Sequence, residues 1–231
     1  MKRSNIDNLE ILYEDNHLII VNKKVSDIVQ GDKSGDISLD NIIRAYIKKR
    51  DNKPGDVFLG IPHRLDRPVS GAVVYAKTSK ALSRMAGLFK EQAIDKIYYA
   101  IVQNCPDPRE GTLSHYLTRN TRQNKSYANN TEVPGSKHAV LHYKLIGSSD
   151  HYHLLEIRLE TGRHHQIRAQ LAAIGSPVKG DRKYGAEKSN KNGGISLHAR
   201  RLGFIHPVKK EALHIIAPFP PMDIFPVFKP T

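Results

Sequence analysis

The chain has 231 residues, 39% of them hydrophobic and 26% charged, with one cysteine and no tryptophan. It is long enough to bury a core, and no run approaches the eighteen or so apolar residues of a membrane span. Its net charge is +13; residues 1–60 carry ten basic and ten acidic side chains, so the whole excess lies beyond residue 60 and points to a polyanion.

In chain order, residues 11–22 read as two short strands around a polar turn at Glu14–Asn16, and 23–37 as a loop. Ser38 is placed to cap a helix over 40–50, whose Ile42, Ile43, Tyr46 and Ile47 share one face. A short strand is expected at 57–61 and another at 72–76. Thr78 then caps a helix with Ala81, Leu82, Met85, Leu88 and Phe89 at helical spacing. Residues 97–102 read as a strand, 104–138 as hairpins and exposed loop, and 152–159 as a strand. A helix from Gln166 to Ala173 ends before Gly175. Residues 176–194 are loop, 195–205 and 213–217 are strand-like, and a proline-rich tail follows. Without strict βαβ alternation, the class is α+β on a mixed, largely antiparallel sheet.

The N-terminal residues lack a secretory signal. Cys105 alone makes neither a disulfide nor a cysteine-rich zinc site, so a cytoplasmic protein is expected. Phosphate-loop, dinucleotide and zincin signatures are absent, as is a Gly-x-Ser-x-Gly elbow. The many histidines match no zinc spacing, so no metal is expected.

Two segments are dense in chemistry. In His63-Arg64-Leu65-Asp66-Arg67-Pro68-Val69-Ser70-Gly71 one carboxylate lies between two guanidinium groups at a turn. Neighbouring cations keep such a carboxylate ionised, which suits a nucleophile; from the residues alone, a structural salt-bridge acceptor that holds the turn is the favoured reading. In Glu160-Thr161-Gly162-Arg163-His164-His165-Gln166-Ile167-Arg168 a strand hands over to a helix. Its N–H groups and cationic side chains fit a phosphate, or simply start the helix. Residues 179–185, KGDRKYG, form a second basic loop, either gripping RNA or solvated.

HRLDRPVSG resembles the H-R-L-D-x-x-[TS]-S-G signature of the RluA family of pseudouridine synthases. Three further blocks follow in that family's order: KIYYAIV (96–102), TGRHHQIRAQLAAIGSPVKGDRKYG (161–185), and ISLHA with LGFIHP (195–207). The opening YEDNHLIIVNKK is similar to its entry strands, so the resemblance covers roughly residues 11–220. Val69 stands where the family usually has Thr, Lys24 where Pro is common, and His164 where Thr or Ser is usual.

The resemblance implies a single catalytic domain over 1–231, with a central sheet flanked by helices and a catalytic cleft. Only about ten residues precede the first strand, so the separate N-terminal RNA-binding domain of many relatives is expected to be missing. The implied reaction isomerises uridines in structured RNA, ribosomal or transfer, to pseudouridine, with no cofactor. Asp66 is implied as the essential carboxylate, and attack on the anomeric carbon, attack on the base or proton removal to a glycal are all open to it. Tyr98 is implied to lie against the target base. Arg168 is implied to pair with Asp66. His63, Arg64, Arg67, Arg163, His165, Gln166, Lys179, Asp181 and Arg182 are expected to bind substrate or shape its site. Extruding the base costs a few kcal/mol, and phosphate contacts offset that cost. No membrane or obligatory protein partner is expected, and monomer is the default. An RNA-binding module without activity and a metal-independent ribonuclease are the rival readings.

Overall fold

The computed structural model describes residues 3–32, 35–221 and 223–228. In chain order the elements are β1 (Ile11–Glu14), β2 (Leu18–Lys23), α1 (Leu39–Arg50), β3 (Ser70–Ala76), α2 (Ser79–Lys90), β4 (Asp95–Val102) and β5 (Glu110–Asn120). Then come β6 (Lys125–Asn129), β7 (Lys137–Ser148), β8 (His153–Leu159), α3 (Gln166–Ala173), β9 (Leu197–Ile205) and β10 (Ala212–Ile216). These strands are mostly antiparallel, and with three α-helices they make the expected α+β class. Two compact units emerge. One runs to Asp95 and takes in Ala199–Pro218; the other is Lys96–His198 with the residues after Pro218.

In the first unit the strand order is β1-β2-β3-β9, with β10 on β9. β2 and β3 pair from Leu18↔Ala76 to Lys23↔Gly71, and every residue of both is buried. Leu18, Ile20, Ala72, Val74 and Ala76 face one way, onto Ala81 and Met85 of α2 and onto Leu202, Phe204 and Ile215. Strand periodicity turns Ile19, Val21, Val73 and Tyr75 the other way, and these too are fully buried. That two-sided burial explains the near-continuous apolar runs. Thr78 caps α2 as expected, its hydroxyl accepting from the Ala81 N–H at 3.1 Å. Ser38 occupies the N-cap of α1, but its hydroxyl donates to Asp40 instead of accepting from the helix backbone.

In the second unit the order is β4-β8-β7-β5-β6, all antiparallel. Helix α3 packs on one face, where Ala169 meets Leu117, Ala139 and Tyr184. Gln170 ties it down, its Nε2 donating to the carbonyls of Leu113 (3.0 Å) and Ala139 (3.2 Å). Phe225 and Phe228 cover Ile101 and Leu154 on the other face. The pairings Leu113↔Leu141 and Leu141↔Leu159 carry the α3 face across the sheet, and Tyr143↔Ile157 and Ile157↔Tyr98 bring it to β4. Tyr98 therefore lies on the face that α3 covers elsewhere, as does Lys96, two residues before it.

Two expectations are corrected. Residues 57–61 form no strand; only Gly60 bridges, to Ala76. Residues 137–148, not anticipated as a strand, form the twelve-residue β7, with Ala139, Leu141 and Tyr143 buried and polar side chains between them.

Candidate active site

In the first unit a turn presents Asp66. Leu65 and Val69 are buried on either side while Asp66 is half-buried, and the Val69 N–H donates to the Asp66 carbonyl at 3.0 Å. Two apolar anchors thus hold the backbone on either side of the half-buried Asp66. Gly71 follows with φ +118, and a Cβ there would come within 2.4 Å of the Ala199 carbonyl oxygen; only glycine fits.

The same turn is tied from beneath by Lys23, which is completely buried. Its Nζ donates to the carbonyls of Val69 (2.6 Å), Arg67 (3.1 Å) and Lys24 (3.1 Å), one acceptor for each ammonium proton. Burial pushes its pKa down to about 7, against the pull of Asp27 and Asp66 upward. The Arg67 carbonyl also accepts from the Ser26 N–H. Sequence reasoning missed Lys23, because a lysine in a strand is ordinarily read as exposed.

The two arginines flanking Asp66 do not both turn to it. The Arg67 guanidinium pairs with Asp36 at 2.5 Å, an acid that also holds Arg3, while Arg64 is exposed. His63 joins two elements: its Nε2 accepts from the Val74 N–H at 3.0 Å and its ring stacks on Phe89 of α2 at 4.5 Å.

In the second unit Arg168, on α3, is 6% exposed at its side chain and Asp181 1%. Arg168 Nε donates to Asp181 Oδ2 at 2.6 Å and Nη2 to Oδ1 at 2.9 Å, a two-pronged ion pair. Its guanidinium also lies over the Tyr184 ring, 5.0 Å from the centroid. The Tyr184 hydroxyl accepts from the Ser126 N–H at 2.8 Å and contacts His165 Nδ1 at 2.9 Å. His165 starts α3 in the left-handed region, φ +54, with its ring stacked on His164.

Part of the hydrogen-bonding capacity at this junction is used internally. Gln166 Oε1 accepts from the Arg163 N–H (2.9 Å) and the Thr161 hydroxyl (2.8 Å), and the Gln166 N–H donates to the Arg163 carbonyl. Among the residues expected to meet substrate, Arg64, Arg163 and Arg182 are exposed, and His63, Arg67 and Lys179 half-buried. His165, Gln166 and Asp181 are buried. Lys179 donates to Asn190 Oδ1 at 2.6 Å, and Arg182 to the Glu187 carbonyl.

A sequence profile described as RNA pseudouridylate synthase matches residues 17–173, a span that includes Asp66, Tyr98 and Arg168. The chain belongs to that family. An uncharacterized RNA pseudouridine synthase from Synechocystis is 36% identical over 92% of this chain and 66% of its own length. A ribosomal large subunit pseudouridine synthase D from Zymomonas mobilis is 34% identical over 96% of this chain and 72% of its own length. The chain thus spans about two thirds of the length of these relatives. Among solved structures, human RNA pseudouridylate synthase domain containing 4 superposes with a TM-score of 0.78 at 22% identity, covering 92% of this chain and 89% of its own. Human RNA pseudouridylate synthase domain containing 1 gives 0.77 at 24%, covering 100% and 92%. The fold is that of the pseudouridine synthases. Enzymes of this family are isomerases that convert uridine in RNA to pseudouridine.

Proposed function

We propose that this protein isomerises uridines in structured RNA, ribosomal or transfer, and that Asp66 is the carboxylate on which the reaction depends. The observation that carries this is the family match over residues 17–173, within which the HRLD turn stands intact. The bond between ribose C1′ and uracil N1 breaks, the uracil leaves as a stabilised anion and turns, and C5 bonds to C1′. C5 then loses its hydrogen to solvent and N1 gains one. No electrons are exchanged with a partner, so the chemistry calls for no redox cofactor. One ionised carboxylate suffices because the leaving group is already stabilised, unlike a sugar oxygen that needs an acid.

Tyr98 lies against the base in this proposal and serves the late proton removal. Arg168 is the ion-pair partner proposed for Asp66, and Asp181 positions Arg168. Arg64, Arg163, Arg182, Lys179 and Arg67 meet the RNA backbone, while His63, His165 and Gln166 shape the site. The positive excess beyond residue 60 supports an RNA partner, whose binding falls with salt. A relative named for the large ribosomal subunit supports ribosomal RNA as the first substrate to try. The protein works as a monomer in the cytoplasm. Pseudouridine mapping by carbodiimide, on total RNA from cells with and without the gene, tests this. Sites that vanish with the gene support it; identical maps, or RNA cleaved by the purified protein, contradict it.

A further inference from the structure

Lys96 is the second residue of β4, two residues before Tyr98 and on the same sheet face. It is 8% exposed. Among the described residues its ammonium has no hydrogen-bond, ion-pair or ring partner, and burial lowers its pKa with no neighbouring charge acting on it. Among the described residues, other withdrawn lysines are satisfied: Lys23 by three carbonyls, Lys24 by the Asn8 carbonyl, Lys77 by Glu14 and the Asp15 carbonyl, Lys179 by Asn190. The residue as a whole is buried while Nζ, which has no counter-group, still touches solvent, so an anion that arrives from outside the chain meets an unpaired charge held in place by a buried stem.

RNA carries one permanent anion per nucleotide, its phosphate. The target uracil is neutral in the bound substrate and charged only in passing, so it cannot hold the lysine's proton beforehand. We propose that Lys96 is a substrate-binding residue whose ammonium receives a phosphate oxygen of the RNA backbone beside the extruded uridine. This rests on the pseudouridine synthase function proposed above.

The test uses total RNA labelled with [5-³H]uridine from cells lacking the gene, with tritium release as the readout. Wild-type release, absent from Asp66→Asn, establishes the underlying reaction; a wild type that releases none overturns both proposals. Lys96→Met is expected to raise the apparent KM about ten-fold, keep kcat within about two-fold, and reduce the salt slope of kcat/KM by about 0.8. Lys96→Arg is expected to restore KM and slope. Because Met keeps the buried stem and removes only an unpaired charge, its melting temperature should equal or exceed wild type. An unchanged KM and slope in Lys96→Met overturns the proposal. So does a loss confined to kcat, which would put the ammonium at the base. A lowered melting temperature that Arg does not restore assigns Lys96 a structural role instead, and equally overturns it.

Discussion

Both carboxylate oxygens of Asp181 hold the guanidinium of Arg168, at 2.6 and 2.9 Å, with neither side chain more than 6% exposed. The pair fixes Arg168 in rotation as well as position, since Nε and Nη2 are both engaged and Tyr184 closes one face. Asp181→Asn removes the charged half of a buried pair and is expected to lower stability by about 3 kcal/mol, seen as a shifted urea midpoint. Tritium release should fall more than stability explains, because Arg168 is no longer held in one orientation. Raising salt to molar levels should not weaken the pair in the wild type, as buried charges escape screening.

Lys23 ties the carbonyls of Arg67 and Val69 in the turn that carries Asp66. Lys23→Met leaves these carbonyls short of a donor and should therefore lower both stability and turnover. Burial holds the folded pKa at about 7, below the ordinary 10.5. The sign follows from proton counts: between these values the unfolded chain binds the proton and the folded one does not, so stability rises with pH across that window. The slope is on the order of 1 kcal/mol per pH unit, and urea titrations from pH 7 to 10 should show it in the wild type but not in Lys23→Met.

Gly71 and Gly87 should respond to alanine with opposite signs. At Gly71 the added Cβ meets Ala199 backbone at 2.4 Å and φ is +118, so Gly71→Ala should cost about 3 kcal/mol. Gly87 lies inside α2 with open space around it, so Gly87→Ala should add about 0.8 kcal/mol. Thermal melts of the two variants side by side decide this.

Thr78 closes the N-terminus of α2 through Ala81. Thr78→Ala should lose about 1 kcal/mol in a urea melt, and Thr78→Ser almost none of it.

The sequence declared some of this architecture and hid the rest for identifiable reasons. β2 and β3 were legible because two buried faces leave unbroken apolar runs, and α2 because Ala81, Met85 and Leu88 keep helical spacing. β5 and β7 were obscured by Ser114, His138, His142 and Lys144 on the open face, while His115 takes a buried position that alternation reserves for an apolar residue. At the candidate site, the turn that carries Asp66 was legible from Pro68 and Gly71, while a role for the carboxylate came only with the family resemblance. The partner of Arg67 was not legible, because Asp36 lies 31 residues away in a loop that carries no periodic signal. Lys23 and Lys96 escaped notice for one shared reason: composition gives no hint that a lysine is withdrawn from water.

One measurement bears most directly on the account: tritium release from [5-³H]uridine-labelled RNA by wild-type protein and by Asp66→Asn, with RNA binding followed in parallel. The substitution keeps the side chain's size and removes only its charge. Asp66→Asn is expected to bind RNA within a few-fold of wild type and to release no detectable tritium. Release by Asp66→Asn at a rate near wild type would contradict the role proposed for Asp66.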